Sequence, residues 1–141
     1  MNNSVELAIR AALLCLPSFE RFYPLNKTPH RVIEAAKNCY LFKTEQSRRE
    51  ARFAAIKISP CDIKGKTKWQ LEWSPEAKAA EYAGECAKEA AMAAAWNIKL
   101  VKAAYSNRAI ELSIKSASYL ARVEDREQAE NERRKQIYEN N

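Results

Sequence analysis

Residues 74–95 read SPEAKAAEYAGECAKEAAMAAA, and the fold class can be taken from them. Ser74 is a good N-cap residue. Pro75 suits the first helical position, where its missing N–H would be unpaired in any case. Glu76 adds a negative charge at the positive end of the helix dipole. Ten alanines follow between positions 77 and 95, interrupted by a single glycine, Gly84, and no proline. Alanine has the highest helix propensity, and its one methyl group lets a neighbouring helix come close. The segment is expected to be a long helix that others pack against. The chain is then all-α: a single-domain helical bundle of five or six helices, the N-terminal ones short, the one or two C-terminal ones long and alanine-rich.

The N-terminal side of this segment divides into residues 1–58, read as short basic helices, and a loop at 59–74. The first helix is expected over 4–16, with Ser4 as its cap and Pro17 as its stop. Val5, Ala8, Ala12 and Cys15 mark its inner face, widened by Leu13 and Leu16. Phe19, Phe22 and Tyr23 follow in a short turn, expected to plug the end of the bundle. Thr28-Pro29 starts a second helix reaching about residue 42, with Val32, Ile33, Ala36, Cys39 and Tyr40 inward. Thr44 caps a third over 45–58, with Ala51, Ala54, Ala55 and Ile58 as its stripe. The loop holds Pro60, Gly65, Lys64, Lys66, Lys68, Trp69 and Trp73; one glycine and no clear alternation favour a structured loop over a hairpin.

On the C-terminal side, residues 75–141 carry no proline after Pro75. Ile98, Val101, Tyr105, Ala109, Leu112, Tyr119 and Val123 recur at helical spacing, and Ser106-Asn107 is the expected break if the segment is two helices. The charged tail from residue 124 is expected to be helical to about 138 and then frayed.

Composition limits the chemistry. The chain has 141 residues, 47% apolar and 30% charged, which fits one soluble domain with its own core. No apolar run is long enough for a membrane span, and the start Met1-Asn2-Asn3-Ser4-Val5-Glu6 lacks signal-peptide regions, so a cytoplasmic protein is expected. Cys15, Cys39, Cys61 and Cys86 form no close pair, so they read as structural thiols rather than a zinc or redox site. The lone histidine, His30, falls in an exposed first turn beside Arg31, a poor place for a triad base. Two glycines cannot build a phosphate-cradling loop. No catalytic residue, metal or cofactor is expected, and the protein reads as a binder rather than an enzyme.

The charge is not evenly spread. Residues 1–74 carry 13 Lys/Arg against 7 Asp/Glu, whereas residues 75–141 carry 11 of each, so the whole net +6 lies in the first part. Arg48, Arg49 and Arg52 share one helix, and Lys64, Lys66 and Lys68 sit on the loop beside Trp69. These seven are the candidate partner-binding residues, facing an anionic partner. The bland alternative is a solvated face with the tryptophans as core lids. A nucleic-acid strand could use the lysines for phosphate and Trp69 for stacking, although no sequence-specific DNA-reading motif is present. A sponge for an anionic nucleotide signal, built from Tyr and Trp residues on the long helices, is a third option, and an alanine-faced helix would also suit a homodimer.

Leu16-Pro17-x-Phe19-Glu20, then Pro24, then Pro29-x-Arg31-x-Ile33-Glu34-Ala35-Ala36 resembles the N-terminal signature of a family of small alanine-rich helical immunity proteins. They occur in bacteria, phages and prophages. The alanine-rich segment with Tyr82, Trp96, Tyr105 and Tyr119 is similar to that family too, as is Arg126-Glu127 with Glu132-Arg133-x-x-Gln136-Ile137. Asn26-Lys27-Thr28 departs from the family's acidic turn and arginine. The resemblance implies a non-enzymatic inhibitor in the bacterial host cell. It would bind and mask a toxin or a host defence component, in immunity or anti-defence. Of the motif residues, Glu20, Pro29, Arg31 and Glu34 are expected to be structural, with Glu20 and Arg31 as an ion pair fixing the turn at 24–28.

Overall fold

The computed structural model describes residues 3–58 and 74–139. The first helix, α1, spans Ser4–Phe22. Its cap is Asn3 rather than Ser4: the Asn3 side-chain oxygen accepts the Val5 N–H at 2.8 Å. Pro17 does not stop it. Proline costs a helix one bond, to the carbonyl four residues back. Pro17 lies on the exposed side, and Leu13, owner of that carbonyl, is 39% exposed, so water can serve the acceptor. At 19 residues α1 is not a short helix. Phe19 and Tyr23 are buried at its end, their rings 5.1 Å apart, with Phe22 edge-on to Tyr23 at 4.6 Å. This is the expected aromatic plug, carried on the helix itself.

The second helix, α2, covers Thr28–Phe42, with Lys27 at the N-cap and Asn26 accepting the Thr28 N–H at 3.0 Å. It ends at Lys43, which adopts a left-handed φ of 55° and donates its N–H to Cys39 O at 2.9 Å. The third, α3, covers Glu45–Ile56, two residues shorter than expected. Thr44 and Ser47 cap it reciprocally, each hydroxyl accepting the other's N–H at 3.0 Å.

The alanine segment forms α4, Pro75–Ala95, and Ser74 Oγ accepts the Ala77 N–H at 3.3 Å as expected. The break then falls at Trp96-Asn97-Ile98, not at Ser106-Asn107. Trp96 and Ile98 are extended, and the Lys102 ammonium closes the end of α4 by donating to Ala93 O and Ala94 O at 3.1 and 3.2 Å. Ser106 instead lies buried inside α5, Lys99–Leu120. A 3-10 turn, Val123–Asp125, leads into α6, Arg126–Tyr138. Among the described residues the chain is all-helical, a bundle of six α-helices.

α4 is the axis: α1, α2, α3 and α5 all pack on it, while α6 lies against α5 and α1. Thirteen of its 21 residues are buried, ten of them alanine. The face that α5 turns inward differs from the expected apolar stripe. Ser106, Ala109, Ile110, Ser113, Ile114, Ser116 and Ala117 are buried, whereas Ile98 and Val123 are 55% and 73% exposed. A helix that approaches an alanine surface closely has room for small residues, and serine fits if its hydroxyl finds an acceptor. Ser113 donates to Ala11 O at 2.8 Å and Ser116 to Ala79 O at 2.7 Å, each bonding to another helix.

Candidate functional site: a basic helix face and a cationic cleft

The arginines of α3 gather around one carboxylate. Glu45 lies 3.7 Å from Arg48, 3.6 Å from Arg49 and 3.5 Å from Arg52, because residues three, four and seven further along a helix share its side. Ion pairs of this length at the surface hold little energy, and the three guanidinium groups exceed Glu45 and the exposed Glu50 by one charge. The face stays positive.

Burial of Ser47, Ala51 and Ala55 against the bundle turns the other side of α3 to solvent. There Arg49, Arg52, Phe53 and Ile56 follow the i, i+3, i+4, i+7 rule and form one stripe. Phe53 is 69% and Ile56 73% exposed, large apolar side chains flanked by charge. The sequence signal for both is their helical spacing relative to Arg49 and Arg52, which the expected binding face leaves out.

Arg48 turns away from that stripe into a cleft of about 160 Å³ where helix ends meet. Its polar lining includes Asn3, Tyr40, Lys43, Arg48, Asn97 and Lys102, drawn from the starts of α1 and α5, the ends of α2 and α4, and α3. Burial pushes the Lys102 ammonium below its ordinary range; the buried Cys39 thiol opposes this, and the positive charges of Arg48 and Lys43 add to it. No carboxylate lines the cleft itself, although two contact its rim. Glu6 meets the Tyr40 hydroxyl at 3.5 Å and Arg10 at 3.8 Å, and Glu45 engages the α3 arginines.

Lys64, Lys66, Lys68 and Trp69, the loop half of the expected binding face, lie outside the described residues, as do Cys61 and Trp73. Among the motif residues, Pro29 is fully buried in the first turn of α2. Glu20 pairs with Lys27 at 3.1 Å, not with Arg31. Lys27 sits within the turn that Glu20 overlooks, whereas Arg31 is exposed on α2. Glu34 pairs with Lys37 at 3.4 Å.

Two other polar clusters have internal explanations. Arg133 of α6 donates to Ser113 O and Oγ at 3.1 and 2.9 Å, beside the buried thiols of Cys15 and Cys86. Burial, with Cys15 beside it, pushes the Cys86 thiol well up, while the hydrogen bond with Cys86 draws Cys15 down. Cys15, Cys39 and Cys86 are all buried and unbridged, and the fold brings Cys15 and Cys86, distant in the sequence, side by side. Tyr82 and Tyr119 stack on each other at 5.5 Å, with Lys115 and Arg126 over their rings. Their inner ring faces are spent on each other, which argues against an aromatic nucleotide pocket there. Among the described residues no three His, Cys, Asp or Glu side chains gather to hold a metal ion, and no helix is long and apolar enough to cross a membrane.

Compared with family models, with curated proteins and with solved structures, the chain matches none.

Proposed function

We propose that the protein is a non-enzymatic binding protein of the immunity or anti-defence type, which neutralises a bacterial toxin or defence component by stoichiometric association. The observation that carries this reading is the α3 stripe of Arg49, Arg52, Phe53 and Ile56. Phe53 and Ile56, two exposed apolar side chains at i, i+3 spacing, are what a helix can present to a hydrophobic groove, and the flanking arginines select a groove with an acidic rim. The resemblance of residues 16–36 to the immunity family supports the same class of partner.

Affinity capture from the bacterial host, using the wild type and the Arg49→Glu/Phe53→Asp variant, tests it. Both substitutions are at exposed positions, so the melting temperature should stay within about 2 °C. The wild type is expected to retain one partner protein at near-equal stoichiometry, and the variant to lose it. Identical captured species from both, or nucleic acid as the only retained material, would overturn the reading.

A further inference from the structure

We propose that the cleft between Lys43, Arg48 and Lys102 binds a single phosphoryl group, as inorganic phosphate or the phosphate of a small monoester. This does not rest on the partner-binding reading, since none of the three belongs to the outward α3 stripe.

Charge is the first argument. Three cations from three helix regions converge on one concavity; Glu45 is shared among Arg48, Arg49 and Arg52, and Glu6 between Arg10 and the Tyr40 hydroxyl, so neither Lys43 nor Lys102 has a carboxylate partner among the described residues. Lys102 spends two of its three N–H donors on the α4 carbonyls and keeps the third. Lys43 makes no ion pair among the described residues. Gathering like charges in a partly buried place is costly unless an anion sits between them; burial chiefly lowers the basicity of Lys102, and the charges of Arg48 and Lys43 add to that.

Neutral donors complete the lining. Asn3 uses its side-chain oxygen on Val5 N–H, which leaves its NH2 group free to donate. Asn97 stands immediately before α5, whose N-cap, Ile98, offers no side-chain acceptor to the first N–H groups. The positive end of that helix dipole adds to the field of the lysines and arginine.

Size narrows the ligand. The cleft holds about 160 Å³, well below the roughly 300–1,000 Å³ of pockets that enclose drug-sized molecules. A phosphoryl group fits, while a base or sugar attached to it would remain outside. Three cations match the charge of a phosphate dianion better than that of a monovalent carboxylate.

Calorimetric titration of the full chain with inorganic phosphate and with methyl phosphate at low ionic strength, against sodium chloride of equal ionic strength, tests the proposal. The cleft variant is Lys43→Gly/Arg48→Gln. Glycine adopts the left-handed backbone of position 43 without a Cβ penalty, so the fold is kept while two charges are lost. Arg49→Gln/Arg52→Gln removes the same charge outside the cleft. Saturable phosphate binding is expected in the wild type and in the outer variant, weakened by about tenfold or more in the cleft variant. Tighter binding of methyl phosphate than of inorganic phosphate assigns the site to a small phosphate ester, and the reverse order to free phosphate. No saturable binding, an equal response to chloride, or equal loss in both variants would overturn the proposal.

Discussion

Ser106 and Ser116 are both shut off from water on the inner side of α5, yet only Ser116 has an acceptor, the Ala79 carbonyl at 2.7 Å. The Ser106 hydroxyl finds none. A buried hydroxyl without a partner costs its desolvation, whereas a bonded one returns about 1 kcal/mol net. Ser116→Ala is therefore expected to lower stability by about 1 kcal/mol, and Ser106→Ala to leave it unchanged or raise it. Urea unfolding of the two variants checks this, and equal losses would contradict it. The same scale shows where the sequence is mute. Arg48, Arg49 and Arg52 are legible as a cluster because four residues on one helix bring them together. Lys102 is not, because it lies in the electrically neutral part of the chain and reaches the cleft only through the packing of α5 on α4.

Some helix starts are readable in the sequence, and the ends of α1 and α4 are not. Ser74-Pro75 and Thr44 mark their helices with side chains that bond to the backbone locally, so a few residues carry the whole signal. The end of α4 at Trp96 has neither glycine nor proline; it is closed by Lys102, from the next helix. Pro17 misleads in the opposite direction, because an exposed helix side lets water replace the missing bond. Gly84 poses a question of the same kind within α4. A glycine in a helix that is crowded by Phe19 suggests that its lack of a side chain is needed. A Cβ built there, however, would lie 3.5 Å from Phe19 Cε2 and 3.7 Å from Ile58 Cγ2, ordinary contacts. The backbone preference then dominates, and Gly84→Ala should stabilise the protein by roughly 0.5–1 kcal/mol. A lowered denaturation midpoint would show that the two helices are closer than those distances allow.

Across the whole molecule, stability is unevenly distributed. α4 has neighbours on several sides, whereas α6 buries only Ile137 of its own residues. Its other attachments are polar: Arg10 donates to Ile137 O at 2.6 Å, and Arg133 reaches Ser113. Few buried apolar contacts and exposed backbone bonds define a segment that opens without global unfolding. Amide exchange in α6 is expected to run at least about tenfold faster than in α4. Ile137→Ser should accelerate it further while leaving α4 protected; exchange of both helices as one unit would refute this.

The central position of α4 also governs how the protein is made. The apolar face of α1, with Val5, Ile9, Leu16 and Phe19, is buried largely against α4 and α5, which lie much later in the chain. Ribosomes add on the order of 5–20 residues per second, so the roughly 70 residues between α1 and the end of α4 take about 4–14 s to synthesise. For that interval the first helices emerge without the surface they are built to cover, and a nascent-chain chaperone has a defined client window. Folding is then timed by translation of the alanine segment, and slow codons before residue 75 would lengthen the exposure.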